Sequence, residues 1–174
     1  MRIDDSSLVR AVLRGDPEPF RELVERHAAA VFRVVRSAAS QAHDADDLAQ
    51  EVFAAAYRAL AKIKDPARFR PYVLSIAARK SADHLRRRRA RPSLPLLEEP
   101  PAPPPPPRAS LLDAVADAVD ALPPETRLLV ALRHHEGLSC LRIAEVLGLT
   151  PSAVYTRLSR AHAALRRALE VRGP

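Results

Sequence analysis

The sequence is poor in glycine and in aromatic residues. Its 174 residues include 4 glycines, 4 phenylalanines, 3 tyrosines and no tryptophan. Strands are enriched in aromatic and β-branched side chains, whereas alanine, leucine and arginine, which are abundant here, favour helices. The composition therefore predicts an all-α protein. The hydrophobic content of 47% is sufficient for folded cores rather than a disordered chain.

Cysteine and long apolar runs are scarce as well. Cys140 is the single cysteine, which excludes an internal disulfide and a cysteine cluster for zinc. No segment approaches the roughly 20 apolar residues of a membrane span, and residues 1–5 lack the apolar stretch of a signal peptide. We expect a cytoplasmic protein without membrane insertion.

Motifs for catalysis and metal binding are missing too. The sequence contains no phosphate-binding loop and no nucleophile elbow, and its 6 histidines are scattered. His134 and His135 are adjacent but have no further ligands nearby in sequence, so they indicate helix surface rather than a metal site. We expect no catalytic residue, no metal and no cofactor.

Positive charge dominates, with a formal net charge of +7. Such a chain is attracted to polyanions, among them nucleic acids. The arginines concentrate at the ends of helical blocks, whereas Asp44, Asp46, Asp47 and Glu51 form a separate acidic patch. This separation predicts one face for DNA and another for a protein partner.

Proline is abundant in one place. Residues 100–107 are proline throughout except for Ala102, and such a run favours extended polyproline II over helix. The pattern predicts a linker at 93–110 between two small helical domains, at 1–92 and 111–174. A spacer that keeps the domains apart and a ligand for a proline-binding module are both open interpretations of the run.

The first domain is predicted to hold four helices. One starts near residues 5–7 and stops at Gly15, and a second starts at Asp16–Pro17, where a capping residue precedes proline. A third is predicted at about 44–60 and a fourth at about 69–89, both with apolar residues at helical spacing. His27 falls on the apolar stripe of the second helix and is predicted to be buried.

The second domain is predicted to contain a helix-turn-helix. An apolar stripe of Leu112, Val115, Val119 and Leu122 is followed by a helix from 123 to 137. Ser139 can then cap a short helix, Gly148 breaks it, and residues 150–151 start a long final helix.

The last two helices have the features of a DNA-reading pair. Such a pair needs a small residue at the helix crossing, supplied by Ala144, and a left-handed turn residue, supplied by Gly148. With Val154 and Leu158 fixed inward, the early outward positions are polar or basic, as major-groove reading requires. These predicted DNA-reading residues are Ser152, Tyr155, Thr156, Arg157, Ser159 and Arg160. A plain helical hairpin with a basic surface is the alternative.

At this point the chain resembles a known family. The segments at 122–127, 136–139, 143–148 and 154–161 are similar to the promoter-binding C-terminal domain of extracytoplasmic function (ECF) sigma factors of the sigma-70 family. Those at 44–53 and 69–77 are similar to that family's N-terminal domain. The resemblance covers nearly the whole chain apart from the linker. It implies a non-enzymatic factor that binds core RNA polymerase, recognises promoter DNA and helps to open it.

The resemblance also implies roles for individual residues. Those that would dock on the clamp helices of the polymerase are Asp47, Leu48, Gln50 and Glu51. Without the resemblance, this patch would be interpreted as a solvated helix face. Those that would contact the opened promoter are Lys62, Lys64, Arg68, Arg79, Lys80, Asp83, Arg86 and Arg87. An anti-sigma factor is a further implied partner, and the linker, through Glu98 and Glu99, would imitate nucleic-acid charge in a basic channel of the polymerase.

Some positions depart from the family pattern. Tyr72 stands where the family often has Trp, residues 78–79 replace a frequent Arg-Asn pair, and Tyr155 takes a place where Lys is common. These departures concern strand separation and promoter sequence. Arg142 stands where many relatives have Glu, which removes a reciprocal cap with Ser139.

Two other functions fit the residues. An autonomous helix-turn-helix regulator would bind a promoter tightly without polymerase, whereas the sigma interpretation requires core enzyme for specific binding. A pure interaction protein, such as an adaptor or a sigma antagonist, would bind polymerase or a sigma factor without any promoter preference.

Overall fold

A computed structural model describes residues 3–39, 41–90 and 111–170 of the chain. Within these ranges the backbone forms eight α-helices, two short 3-10 turns and one π-helical turn, and no strand. The predicted all-α class is confirmed. The predicted proline-rich linker, with Glu98 and Glu99, lies outside the described residues.

Four helices build the N-terminal half, which we call the first unit. They are α1 (Asp5–Leu13), α2 (Pro19–Ala38), α3 (Ala42–Arg58) and α4 (Phe69–Ala90). Two 3-10 turns, Leu60–Lys62 and Pro66–Arg68, connect α3 to α4. Helices α2, α3 and α4 pack against one another, and α1 lies against α2. Their bounds match the predicted helices to within a few residues.

The core of the first unit forms around Phe69, which begins α4 and is completely buried. Its ring contacts Phe20 at 6.2 Å, His27 at 5.4 Å and Tyr72 at 6.2 Å between centroids. Aromatic side chains bury large apolar areas and prefer tilted or edge-on contacts of this kind. They fix the angle at which α4 crosses α2.

Helix α1 is held by charged side chains. Asp4 caps it by accepting a hydrogen bond from the Ser7 amide at 2.7 Å. Asp5 then accepts from Arg26 Nη1 at 2.9 Å and pairs with His27 Nε2 at 2.7 Å. His27 is buried as predicted. It is more than apolar filler, however, because its ring nitrogen ties α2 to α1.

The C-terminal half, which we call the second unit, contains four further helices. They are α5 (Leu111–Asp120), α6 (Pro124–Val130), α7 (Cys140–Leu147) and α8 (Pro151–Glu170). A π-helical turn, Ala131–His135, extends α6. Helix α8 packs against α5, α6 and α7. The predicted helix at 123–137 is thus found as α6 plus its π-helical turn.

The two units pack against each other. Helices α2 and α4 contact α6, α2 also contacts the π-helical turn, and α4 contacts α7. Leu128, Leu129 and Leu132 are completely or almost completely buried and belong to a core that continues into the first unit. Helix α3 packs against α2, α4 and the first 3-10 turn.

Two local predictions are wrong in detail. Helix α2 begins at Pro19 rather than Pro17, and the turn before it is held by an i→i+3 hydrogen bond from the Phe20 amide to the Pro17 carbonyl at 3.1 Å. Asp16 accepts from the Glu18 amide at 3.1 Å, as predicted for a capping residue. Of the predicted stripe on α5, Leu112 is 80% exposed and Val115 is 37% exposed. Val119 is half-buried, and only Leu122, which follows the end of α5, is buried.

Candidate nucleic-acid and protein interfaces

Helices α7 and α8 form the predicted helix-turn-helix. Ser139 caps α7 by accepting from the Arg142 amide at 3.2 Å, and Thr150 Oγ1 accepts from the Ala153 amide at 3.2 Å. Gly148 ends α7 with φ +66°, a left-handed conformation that side chains with a Cβ rarely adopt. Ala144 is 3% exposed in the core between the two helices. Both helix boundaries are therefore confirmed together with the side chains that set them.

The outward face of α8 is polar and accessible. Val154, Leu158 and Ala161 are buried and fix the rotation of the helix about its axis. All six predicted DNA-reading residues are consequently exposed: Ser152, Tyr155, Thr156, Arg157, Ser159 and Arg160. Their position near the start of the second helix is the one from which such helices reach base edges.

Part of that face adjoins the first unit. Arg157 and Arg160 line a cleft of about 340 Å³ together with Arg89 of α4 and Glu125 of α6. Arg157 also lines a neighbouring cleft of about 160 Å³ with Arg86 and Arg89. Arg89 Nε pairs with Glu125 Oε1 at 2.8 Å across the boundary between the units. Arginines assigned to DNA in both units thus lie side by side.

The predicted polymerase-docking residues all lie on α3. Asp47, Gln50 and Glu51 are exposed, whereas Leu48 is 3% exposed in the core. A direct contact between Leu48 and a partner is therefore unavailable in this arrangement. Its burial instead fixes α3 so that the other three side chains face solvent.

Glu51 joins the two predicted surfaces of the first unit. Its Oε2 accepts from Lys80 Nζ of α4 at 2.7 Å, and this hydrogen bond holds the pKa of Glu51 below its usual value. Lys80 is one of the predicted promoter-contacting residues, so the carboxylate and the amine restrain each other. This ion pair connects α3 to α4 at the protein surface.

The remaining predicted promoter residues fall in two groups. Lys62, Lys64 and Arg68 are exposed around the two 3-10 turns, where Asp65 caps the second turn by accepting from the Ala67 amide at 3.0 Å. The second group follows the surface of α4, where Asp83 pairs with Arg86 one turn along the helix. The members of that group are Arg79, Lys80, Asp83, Arg86 and Arg87.

Burial shifts the pKa of one tyrosine and one histidine near these surfaces. Burial raises the pKa of Tyr72, whose hydroxyl reaches the Ala56 carbonyl at 3.4 Å. In the second unit, His134 Nε2 and His162 Nε2 lie 2.8 Å apart. Burial and then the positive charge of His162 lower the pKa of His134. At least one of the two rings must be neutral to accept the other's proton.

Two structural tests bear on metal binding and membrane insertion. In the described ranges, no group of three or more His, Cys, Asp or Glu side chains is placed to hold a metal ion. None of the helices described here is long and apolar enough to cross a lipid bilayer.

The sequence did not predict the contacts between the units. Glu136 is buried and pairs with Arg33 and Arg70, which lie 103 and 66 positions away along the chain. No local pattern pairs residues so distant. A weaker signal existed at Arg142, which departs from the resembled pattern and donates to Ser75 Oγ of the first unit at 3.1 Å.

Comparison with known proteins agrees with both units. The family described as Sigma-70 region 2 matches residues 23–91, and the family described as Sigma-70, region 4 matches residues 112–165. The ECF RNA polymerase sigma factor SigM of Mycobacterium tuberculosis is 30% identical over 165 residues, which cover 95% of this chain and 84% of SigM.

Solved structures with the same fold include two complexes. CnrH in complex with the cytosolic domain of CnrY has a TM-score of 0.64 and 31% identity, and the match covers 97% of this chain and 99% of CnrH. The sigma factor RpoE in complex with the anti-sigma factor NepR from Bartonella quintana has a TM-score of 0.67 and 22% identity, covering 87% and 97%. At that identity the second likeness shows the fold alone.

Proposed function

This chain belongs to the ECF sigma factors of the sigma-70 family, and we propose that its two units divide polymerase binding and promoter binding between them. RNA polymerase-associated promoter recognition is its function. The competing function, an autonomous regulator, gives no reason for a first unit of region 2 type. We propose domain limits at 1–92 and 111–174, with 93–110 as the linker.

The polymerase-binding face is the outer side of α3. Asp47, Gln50 and Glu51 form an exposed, mainly acidic surface on α3, a helix that packs against α2 and α4. Charge complementarity with a basic partner accelerates association and fixes its orientation. This face is therefore proposed to dock on the polymerase clamp, with buried Leu48 holding it in position.

Promoter binding uses both units. In the first, the basic residues of α4 and of the 3-10 turns are proposed to neutralise the phosphates of the opened strand. In the second, α8 is proposed to enter the major groove of the duplex. The observation that carries this assignment is the capped helix-turn-helix whose six polar or basic side chains share one exposed face. Each phosphate contact adds roughly 0.9 on duplex, or 0.7 on a single strand, to the salt dependence of log K.

Further properties follow from membership of the family. We propose that the chain has no catalytic activity of its own, since the polymerase carries out RNA synthesis, and that it works in the bacterial cytoplasm, where promoters are read. We also propose an anti-sigma partner, supported by the RpoE–NepR complex of the same fold. We further propose that the first unit helps to open the promoter.

Run-off transcription tests the proposal as a whole. Purified core polymerase is supplied with a library of promoters, with and without the protein. The expected result is that addition of the chain creates specific start sites. Failure to associate with core enzyme, or association without any redirection of transcription starts, would refute the assignment.

Two variants test the division between the units. Arg157→Ala with Arg160→Ala should reduce promoter-specific transcription by about tenfold or more, with core binding retained, since a good base contact contributes about 1–3 kcal/mol. Gln50→Ala with Glu51→Ala should reduce core binding first. Matched controls are Arg166→Ala with Arg167→Ala on exposed α8 positions and Glu25→Ala on exposed α2. Equal effects of both test variants on both readouts would contradict the division.

A further inference from the structure

Two histidines from different helices meet on the surface of the second unit. His134 lies in the π-helical turn that extends α6, and His162 lies in α8, 28 positions further along the chain. Their Nε2 atoms are 2.8 Å apart and their ring centroids 5.0 Å apart, with the ring planes at 65°. The sequence places His134 next to His135, whereas the fold places it against His162. We call His134 and His162 the histidine pair.

The spacing of the two nitrogens is close to that of two ligands on one metal ion. At a metal–nitrogen distance of about 2.0–2.1 Å and a tetrahedral angle, two imidazole nitrogens lie about 3.3 Å apart. The Nε2 atoms of the histidine pair therefore have to separate by only about 0.5 Å, which small rotations of two side chains supply. Both side chains are exposed, so water can fill the remaining coordination positions.

The protonation of the pair is compatible with metal binding. Burial lowers the pKa of His134, and positive charges nearby act in the same direction, so this ring is neutral at pH 7. In a neutral pair joined by a hydrogen bond, one ring carries its proton on Nε2, whereas two metal-bound rings both carry it on Nδ1. Binding of a metal ion then requires a change of tautomer in one ring and no net loss of a proton.

Charged neighbours limit the affinity of such a site. Arg133 and His135 add positive charge next to His134, and Arg166 lines a groove of about 450 Å³ together with His162. These charges repel a cation. Two ligands supply roughly half of the binding free energy of a four-ligand structural zinc site, which corresponds to a dissociation constant of about 1–200 μM.

We propose that the histidine pair binds one divalent transition-metal ion of the zinc, nickel and copper class, and that the ion ties the π-helical turn to α8. Imidazole is a preferred ligand of these ions, whereas Mg²⁺ and Ca²⁺ prefer oxygen. π-Helical turns inside helices are uncommon and are frequent at functional sites. Helix α8 carries the predicted DNA-reading side chains, and Ser159 precedes His162 by one helical turn. A bound ion therefore stabilises the folded second unit beside its predicted DNA-binding face.

Isothermal titration calorimetry of the full chain with Zn²⁺ alone tests the site. One ion should bind per chain, and His134→Gln or His162→Gln should each weaken binding by about tenfold or more, because a single imidazole ligand is left. His135→Gln, at the adjacent exposed histidine, is the matched control and should bind as the unaltered chain does. Cys140 lines the same groove as His162 but is 7% exposed, so Cys140→Ser should also retain binding. Far-UV circular dichroism verifies that each variant keeps its helices.

Thermal unfolding provides the second readout. Zn²⁺ at ten times its dissociation constant should raise the unfolding midpoint of the unaltered chain by about 3 °C or more, and should not raise that of His134→Gln. Mg²⁺ at the same concentration should leave the midpoint unchanged.

Three results would overturn the site: no saturable Zn²⁺ binding below about 1 mM, unchanged affinity in His134→Gln and His162→Gln, or an equal loss in His135→Gln, which would indicate adventitious binding to surface histidines. The site does not depend on the proposed promoter binding. Loss of Zn²⁺ binding with normal run-off transcription refutes only the site, and the reverse result refutes only the function.

Discussion

The two units use charged side chains differently. In the first, Asp5 ties α1 to α2 and Glu51 ties α3 to α4. In the second, Glu136 and Arg142 connect outward to the neighbouring unit. The first unit therefore carries interactions that fix its own tertiary structure. The placement of the second unit depends on its polar contacts with the first.

Removing the central aromatic of the first unit should have the largest effect. Phe69→Ala deletes a completely buried ring that contacts three other rings, and such truncations lower the free energy of unfolding by about 3–5 kcal/mol. Urea denaturation followed by circular dichroism gives the value. Tyr155→Ala, at a side chain that is 64% exposed, is the control and should change it by less than about 0.5 kcal/mol. A small effect of Phe69→Ala would mean that the first unit does not depend on this core.

Breaking the tie between α1 and α2 should come next. Asp5→Ala leaves Arg26 and His27 without their shared carboxylate, and their side chains are only 15% and 9% exposed. Loss of a partner from largely buried polar groups costs about 1–3 kcal/mol. Hydrogen exchange should show α1 opening while α3 and α4 stay protected. Asp16→Ala, which removes only an exposed turn contact, is the matched variant, and equal losses from both would argue against the tie.

Substitution of Gly148, in the turn between α7 and α8, should have a smaller effect on the free energy of unfolding. Gly148→Ala forces a Cβ into φ +66° although no heavy atom lies within 4 Å of that Cβ, so strain alone should lower the free energy of unfolding by about 1–2 kcal/mol. Gly148→Asn should lose less, because asparagine tolerates the left-handed region. Equal losses in both variants would show that the turn relaxes. Thermal unfolding of the full chain measures both.

Local signals allowed much of this fold to be predicted. Ser139, Gly148 and Thr150 specify the helix-turn-helix through backbone contacts within a few residues, and helical spacing placed Val154 and Leu158 inward. The exposure of the predicted DNA-reading side chains followed from that spacing. The start of α2 was placed two residues early, because the turn that follows the capping residue Asp16 has an i→i+3 hydrogen bond instead of α-helical ones.

Contacts between distant residues could not be predicted in the same way. Nothing in the segment around residue 136 identifies Arg33 and Arg70 as its partners, and the exposure of Leu112 depends on how α5 lies against α8. Such features arise from tertiary packing rather than from propensity. The roles of individual residues on the polymerase and on DNA likewise came from the resemblance, and they stay predictions.

The smallest expected effect is on the pH dependence of stability, to which one histidine in each unit contributes. Burial lowers the pKa of His134 in the second unit, assisted by the positive charges of His162, Arg133 and His135. Burial also lowers the pKa of His84 in the first unit, where Arg88 and Arg87 act in the same direction and Asp44 and Glu51 oppose them. A histidine whose pKa is depressed in the folded state favours folding while neutral. The chain should therefore be most stable above the unfolded value of about 6.5 and lose stability as the pH falls below it.

Substitutions can separate the contributions of His134 and His84 to this pH dependence. Urea denaturation at pH 7.5 and pH 5.5 should show a loss below about 1 kcal/mol per ring, because solvent screens these partly exposed groups. His134→Gln and His84→Gln should each reduce that loss of stability by the amount that the replaced histidine contributes. The His134 share should be the larger, since its charged neighbours all raise the free energy of the protonated ring, whereas carboxylates offset part of the effect at His84. An unchanged pH dependence in His134→Gln would show that His134 does not contribute to the acid sensitivity of the chain.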